Sequence, residues 1–495
     1  MVQNPLRLFF ILCFFSIPSG ASYTPLTTYQ KFRAITNYGD LAMYAKIVTK
    51  LGRKQCLNIT AVGGSVSHGH FNHSMLPKAV LWHQRVGQML NEAFPCGPNG
   101  HQVTAVARGS TVTRYWMDYF AGRQEVLLFG SDLVMIETAV NQLLERDVAR
   151  REEEAFLSMV LLQSRRLDMA TNNNRQLDDL SEAQLGTQRK FSGTAAMFVV
   201  PSSRCYTGFW SGVPFERTGD AMYAQLPVAQ HHGAAIVSVL DALGPFPTRV
   251  SQEYFNATWF AGWPWGDKIH PDANGHRVVA ELIVNYIQTI YQHANQFRDY
   301  PLPMEYVPRD PIFIDVRSRD MYLDLQPISV TSYDFNSRKV NNTATATDNR
   351  NNNNCKAWAF YADVPNKPGF ISTTTNSYCQ LYLPPKDAQR LTLGEAHVEL
   401  LKSYMHMGTV AITIFRGVAG RDGTSCARGD LPNSVLGSHT VDCLWSEPVS
   451  LAKIEVFNFQ LPQPRDDRTC LILDFTIRAT NRKNNKVKVL GFSLF

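Results

Sequence analysis

The sequence predicts a chain in two parts, an α/β unit built on a parallel sheet followed by a β-sandwich-like unit. From about residue 23 to 298, short apolar runs alternate with segments of helical periodicity, the pattern of βα units around a parallel sheet. Beyond a Pro-containing stretch, Tyr300-Pro301-Leu302-Pro303, that periodicity gives way to short apolar runs separated by Gly, Pro, Asn and Asp, the pattern of a sandwich. At 495 residues and 44% hydrophobic, the chain is too long for one ordinary core and too apolar for disorder.

Within the α/β unit, the runs at 57–62, 133–137, 195–200 and 234–239 read as buried strands, with a weaker run at 103–107. Each is short and bounded by Gly, Ser or Pro, which favours strand over helix. Helical spacing is clearest at 78–94 and 273–293. A third helix is expected over 143–166, where Leu144, Val148, Ala155, Phe156, Met159 and Val160 form an apolar stripe opposite a charged face. A polar insertion over about 166–190, containing Thr171-Asn172-Asn173-Asn174-Arg175, is expected to follow it, either flanking a cleft or forming a surface excursion. In the second unit, apolar runs at 312–316, 410–415, 454–457 and 470–475 read as strands, and the Asn-rich tract 341–354 reads as a disordered or glycosylated loop. The expected division is a leader at 1–21, the α/β unit at 22–299 and the sandwich-like unit at 300–495.

Arg7, the apolar run 8–17 and the small residues Ser19, Gly20 and Ala21 have the make-up of a cleavable secretory leader. The run is half the ~20 residues needed to cross a bilayer, and no later segment is apolar enough to span one. Setting aside Cys13 leaves Cys56, Cys96, Cys205, Cys355, Cys379, Cys426, Cys443 and Cys470. That even number predicts disulfides in an oxidising compartment, with the last five stapling the second unit, while the pairing stays open. No CxxC pair occurs, which argues against a zinc ribbon. Sequons at Asn58, Asn72, Asn256 and Asn341 fit a secretory route; Asn341 is the best acceptor, and Asn58, in an apolar run, is expected to be inaccessible. The net charge of +6 is spread without a long basic run, which argues against nucleic acid as a partner.

Two motifs carry chemistry. Gly63-Gly64-Ser65-Val66-Ser67-His68-Gly69 follows the strand ending at Val62, where glycines permit a sharp turn and leave room for a substrate carbonyl beside the Ser65 hydroxyl and N–H. About two hundred residues on, Asp267-Lys268-Ile269-His270-Pro271 precedes Asn274-Gly275-His276 at the start of a helix. Serine needs a base to lose its proton, and the base needs a carboxylate to fix its tautomer; an Asp three residues before a His supplies both. Read alone, the first motif is an ordinary Gly-Ser turn and the second a helix-entering loop with a capping Asp; together they are far more specific. Arg108-Gly109-Ser110-Thr111 after one strand and Glu137-Thr138-Ala139-Val140-Asn141 after another add the Gly109 N–H and the Asn141 amide at the same sheet edge, suitable donors for an oxyanion.

The ordered series Gly-Gly-Ser65, Gly109, Asn141 and Asp267-x-x-His270 resembles the SGNH hydrolase (GDSL-like) superfamily over residues of about 55 to 295. The resemblance implies a three-layer α/β/α fold and ester hydrolysis. It assigns Ser65 as nucleophile, His270 as base oriented by Asp267, and Ser65 N–H, Gly109 N–H and Asn141 as the oxyanion hole, with no cofactor and no metal. Gly64 stands where the family's signature has Asp, Arg108 where an Asn often precedes the Gly, and Gln142 where an Asp often follows the Asn. These departures bear on substrate preference and rate more than on reaction class.

The expected activity is a secreted serine esterase or deacylase acting on an acylated small molecule or polysaccharide, O-acetylated glycans foremost. The same triad serves an O-acyltransferase, which differs only in the acceptor. A carbohydrate-binding or adhesion protein on a degenerate hydrolase scaffold is the alternative of another class, resting on the β-rich unit, on Arg428-Gly429-Asp430 and on Trp358, Tyr361, Tyr404 and Trp445, although the sandwich core is the better home for most of those aromatics. An intact triad argues against degeneracy. His68, His70 and His73 cluster beside Ser65, and His231-His232 form a pair, but neither has the spacing of a zinc site; His68 or His70 is expected to line the substrate pocket.

Overall fold

The computed structural model describes residues 25–71, 74–109, 111–121, 130–141, 146–175, 194–201, 220–243, 270–296, 309, 311–313, 328–331, 355–362, 368–403, 406–420, 426–428, 434–444, 451–462, 467–480 and 485–495. The leader, the stretch at 300–303, the Asn-rich tract, Gly429 and Asp430, and the sequons at Asn72, Asn256 and Asn341 lie outside them.

In chain order the first unit carries β1 (Ile35–Asn37), β2 (Asn58–Gly63), a small hairpin of β3 (His70–Phe71) and β4 (Ser74–Met75), β5 (Gln102–Ala107), β6 (Leu133–Glu137), β7 (Ala195–Val200) and β8 (Ala235–Ser238). Six of these form one sheet in the order β1-β8-β7-β6-β2-β5. Its pairings are parallel except that β1 runs antiparallel to β8. Three residues are too short to leave a periodic signal, so β1 escapes sequence reading, whereas the five expected strands lie within a residue of their expected bounds. Strands β6, β7 and β8 are buried along their whole length because helices cover both faces of the sheet.

The helices are α1 (Thr28–Arg33), α2 (Leu41–Gly52), α3 (Ser65–His68), α4 (Trp82–Ala93), α5 (Thr113–Ala121) and α6 (Arg146–Arg175), followed by Asp220–His232, Val239–Leu243 and Ala273–Gln296. Helices α2 and α4 pack with Ala273–Gln296, while α6 packs with α5 and with Asp220–His232, giving two helical layers about the sheet. The segment expected as one helix at 78–94 opens as a 3-10 turn, Lys78–Val80, and becomes α-helical only at Trp82.

One expectation is corrected along α6. Residues 171–175 continue the helix instead of opening the polar insertion, since extending an existing helix costs little per residue even through Thr and Asn. Part of its charged face is turned inward: Glu153 and Glu154 are both fully buried. Glu153 Oε1 accepts from Thr113 Oγ1 at 2.9 Å and Thr138 Oγ1 at 2.8 Å, and Glu154 Oε1 from His232 Nε2 at 3.1 Å. Glu154 also takes the backbone N–H groups of Ile312 and Phe313, which lie in a bend, and Phe313 packs on the first core. The run expected as a strand from residue 312 therefore starts against the α/β unit.

The second unit contains β9 (Ile328–Thr331), β10 (Cys355–Lys356), β11 (Ala359–Ala362), β12 (Pro368–Ser372), β13 (Tyr378–Leu383), β14 (Glu395–Lys402), β15 (Thr409–Ala419), β16 (Cys426–Arg428), β17 (Val435–Asp442), β18 (Leu451–Asn458), β19 (Thr469–Arg478) and β20 (Val487–Leu494). They form two antiparallel sheets, β10-β13-β19-β15-β16 with β17 on β15, and β11-β12-β20-β14-β18 with β9 on β20. Their inner faces enclose a core of their own, which includes Trp358. The architecture is an α/β/α unit followed by a β-sandwich.

Disulfides join Cys56–Cys96, Cys355–Cys379 and Cys426–Cys470. Cys443 is a buried free thiol, so the second unit carries two staples and an odd cysteine, and Cys205 lies outside the described residues. Asn58 is exposed, contrary to expectation: it opens β2 at the end of the strand opposite to Ser65, about 20 Å away. No helix among the described residues is long and apolar enough to cross a membrane.

Candidate active site

Three adjacent strands end level with one another. Gly63 of β2 pairs with Ala107 of β5 on one side and with Glu137 of β6 on the other. Neighbouring strands lie about 4.8 Å apart, so the chain leaves the sheet at three points spanning roughly 10 Å. Ser65, Gly109 and Asn141 follow those points within four residues. This is the carboxyl edge of a parallel sheet, where ligands bind in open α/β folds.

Ser65 is the first residue of α3 and is 5% exposed. The turn that presents it is held from below by Glu137. One carboxylate oxygen, Oε2, accepts the Gly64 N–H at 2.9 Å, the Ser67 N–H at 3.2 Å and the Ser67 hydroxyl at 2.8 Å. Gly63 is required for this approach, because a Cβ there would lie 2.8 Å from Glu137 Oε2 and closer still to Ser67. The room left by Gly63 is thus filled by the Glu137 carboxyl group and the Ser67 side chain. Gly69 closes α3 in the left-handed conformation (φ 86°), and its missing Cβ makes way for Leu81.

The same turn is tied to the second motif. Ser67 Oγ accepts from Trp82 Nε1 at 3.2 Å, and Trp82 donates its backbone N–H to His276 Nδ1 at 3.2 Å. His276 is fully buried; burial, with His83, Arg85 and His270 adding to it, pushes its pKa down to about 3, so the ring is neutral and accepts. His83 donates Nε2–H to the Ser67 carbonyl at 3.1 Å, and burial pushes its pKa down to about 4. His70, on the hairpin after α3, stands between the motifs: its ring is 5.1 Å from His68 and 5.8 Å from His270. His270 is half-buried, just before the helix Ala273–Gln296. The residue that caps this helix is Asp272, whose Oδ1 accepts the N–H groups of Asn274 and Gly275. Asp267 lies outside the described residues.

Gly109 is buried in the loop after β5. Arg108 before it donates its N–H to the Gly63 carbonyl at 3.0 Å and accepts from Thr111 Oγ1 at 2.8 Å. Asn141 closes the 3-10 turn Ala139–Asn141 directly after β6. That turn and the start of α5 are linked through Glu153, which bonds Thr138 and Thr113 together with Gln225.

Glu137 and Glu153 went unremarked as functional residues in the sequence, although a Glu ending the otherwise apolar run Leu133-Val134-Met135-Ile136 was a usable signal. Burial pushes both carboxyl groups from 4.5 up to about 7, against the hydrogen bonds that favour their charged forms. Between about pH 4.5 and about 7 the folded chain therefore holds protons that the unfolded chain has released, and stability falls as pH rises through that window. The loss is expected to be on the order of 3 kcal/mol for each group. Urea midpoints at pH 5 and pH 7.5 check this: Glu137→Gln keeps an acceptor oxygen and is expected to show a smaller fall than the wild type. Equal falls would mean that Glu137 titrates alike in both states.

No protein-family model and no curated protein matches the chain. Among solved structures it is similar to a two-domain esterase (CEX) active on acetylated mannans, co-crystallised with mannopentaose, at 14% identity and a TM-score of 0.49, covering 94% of this chain and 98% of that one. A peptidoglycan O-acetylesterase matches at 12% identity and a TM-score of 0.34, covering 53% of this chain and 100% of that one. The carbohydrate-binding module CBM27-1 of Caldicellulosiruptor saccharolyticus, in complex with mannohexaose, matches at 11% identity and a TM-score of 0.21, covering 34% of this chain and 97% of that one. At these identities and scores the likenesses assign no activity to this chain.

Proposed function

We propose that this chain is a secreted serine esterase or deacylase that removes acyl groups, O-acetyl groups of glycans foremost, through a covalent intermediate on Ser65. His270, oriented by Asp267, takes the proton of Ser65 Oγ as that oxygen attacks the ester carbonyl carbon. The negative charge that develops on the carbonyl oxygen meets the N–H groups of Ser65 and Gly109 and the Asn141 amide. Collapse breaks the bond to the alcohol, which leaves with the proton from His270. Water, deprotonated by the same histidine, then attacks the acyl group and releases the acid and free Ser65. No cofactor enters these steps.

The observation that carries this reading is the register of Gly63, Ala107 and Glu137, from which the chain enters the Ser65, Gly109 and Asn141 loops at one sheet edge, with the Ser67–Trp82–His276 bonds tying in the segment that bears His270. The secretory part rests on the leader and is supported by the three disulfides. Purified protein is expected to release acetate from acetylated polysaccharide and from p-nitrophenyl acetate, at a rate unchanged by a chelator. Loss of turnover on chelation would contradict the serine mechanism. An inert wild type on every acyl donor would contradict hydrolysis and favour transfer to another acceptor or a binding role.

A further inference from the structure

Arg108, which immediately precedes Gly109, does not face solvent. Its Nη1 lies 2.9 Å from Glu399 Oε2, and the two side chains are 8% and 5% exposed. Glu399 belongs to β14 in the sandwich, 291 residues away in sequence. The guanidinium also lies over the ring of Tyr115, 4.7 Å from its centroid, at the start of α5. Backbone bonds from Arg108 to Gly63 and Thr111 hold the other side of the same residue. Arg108 is thus fixed at its backbone by the α/β unit and at its side chain by Tyr115 of that unit and Glu399 of the sandwich, with Gly109 next in the chain.

A second set of contacts crosses the same junction between described residues other than Arg108 and Gly109. His397 of β14 lies 2.9 Å from Asp118 of α5 and also contacts Glu395, with Arg114 alongside. Two charged groupings across one junction, of which only one reaches a proposed oxyanion donor, allow the two roles to be separated.

We infer that Glu399 is a positioning residue for the oxyanion hole: through its ion pair with Arg108, the sandwich sets the orientation of the Gly109 N–H. The inference rests on the reading of Ser65 as nucleophile and Gly109 as an oxyanion donor. A donor acts fully only where the charge develops, and displacement by about 1 Å costs up to 10²-fold in rate. The sandwich then acts in the chemical step as well as serving any role in holding substrate.

The test compares kcat and KM on p-nitrophenyl acetate, per active site counted with a fluorophosphonate, in the full-length wild type, Glu399→Gln, His397→Gln, and the double variant Arg108→Met with Glu399→Leu. Ser65→Ala is the reference. A buried pair replaced by apolar residues is commonly tolerated by the fold, so the double variant separates positioning from stability. Glu399→Gln and the double variant are expected to lose about 10²-fold in kcat with KM within about twofold, while His397→Gln stays near wild type in kcat. Wild-type kcat in the double variant, or equal kcat losses in Glu399→Gln and His397→Gln, would overturn the inference while leaving Ser65 in place. Turnover retained by Ser65→Ala would instead overturn the underlying reading, and this inference with it.

Discussion

Replacing Ser65 by alanine is expected to lower kcat for a short ester by about 10⁶-fold, leaving only the residual rate that binding and oxyanion donors give to attack by water. The size of the effect follows from the chemistry. Without the hydroxyl there is no acyl-enzyme, and the reaction loses both the activated nucleophile and the division of one difficult step into two easier ones. His270→Ala is expected to cost about as much, because the two residues act as a unit and their losses do not add. The fold is expected to survive either change: Ser67 makes the hydrogen bonds to Glu137 and Trp82 that hold the turn, so unfolding midpoints should move little. Steady-state kinetics and a urea titration of each variant check both halves of this expectation.

Asn141→Ala is expected to lower kcat by about 10²- to 10³-fold with KM little changed, equivalent to about 3 kcal/mol in the barrier. An oxyanion donor meets its full partner only in the transition state, so its removal appears in kcat and not in ground-state binding. Asn141 follows Glu137 by one short turn, and that turn is anchored through the Thr138 hydroxyl to buried Glu153. The variant is therefore expected to remain folded. A rise in KM at constant kcat would show that Asn141 contacts the substrate uniformly and does not bind the developing oxyanion.

Much of the fold was legible because buried parallel strands write themselves as short apolar runs. The runs at 57–62, 133–137 and 195–200 fall on Asn58–Gly63, Leu133–Glu137 and Ala195–Val200, and those at 410–415, 454–457 and 470–475 fall on strands of the sandwich. Local pattern failed where tertiary context decides the outcome. A five-residue run ending in Glu137 reads as a strand, but nothing within it says that the carboxyl turns under the next strand's exit loop to hold Gly64 and Ser67. Glu153 and Glu154 lie among charged neighbours and read as part of one charged face, and nothing in that pattern marks them as the two that the structure buries. Arg108 reads only as a departure from the familiar Asn, because its partner Glu399 lies in the other unit. The candidate site was legible to the extent that its residues follow strand ends: the register of Gly63, Ala107 and Glu137 brings the entrances to three of its loops together. Asp267 lies outside the described residues, and its role rests on its spacing to His270 and on the resemblance.

The most direct test of the central proposal is the covalent intermediate itself, sought by treating purified wild type with a fluorophosphonate and mapping the adduct by peptide mass spectrometry. A single phosphonyl group on Ser65, formed in step with loss of esterase activity and absent from Ser65→Ala, is the predicted result; ester turnover persisting without any adduct, or inactivation through a different residue, would contradict it.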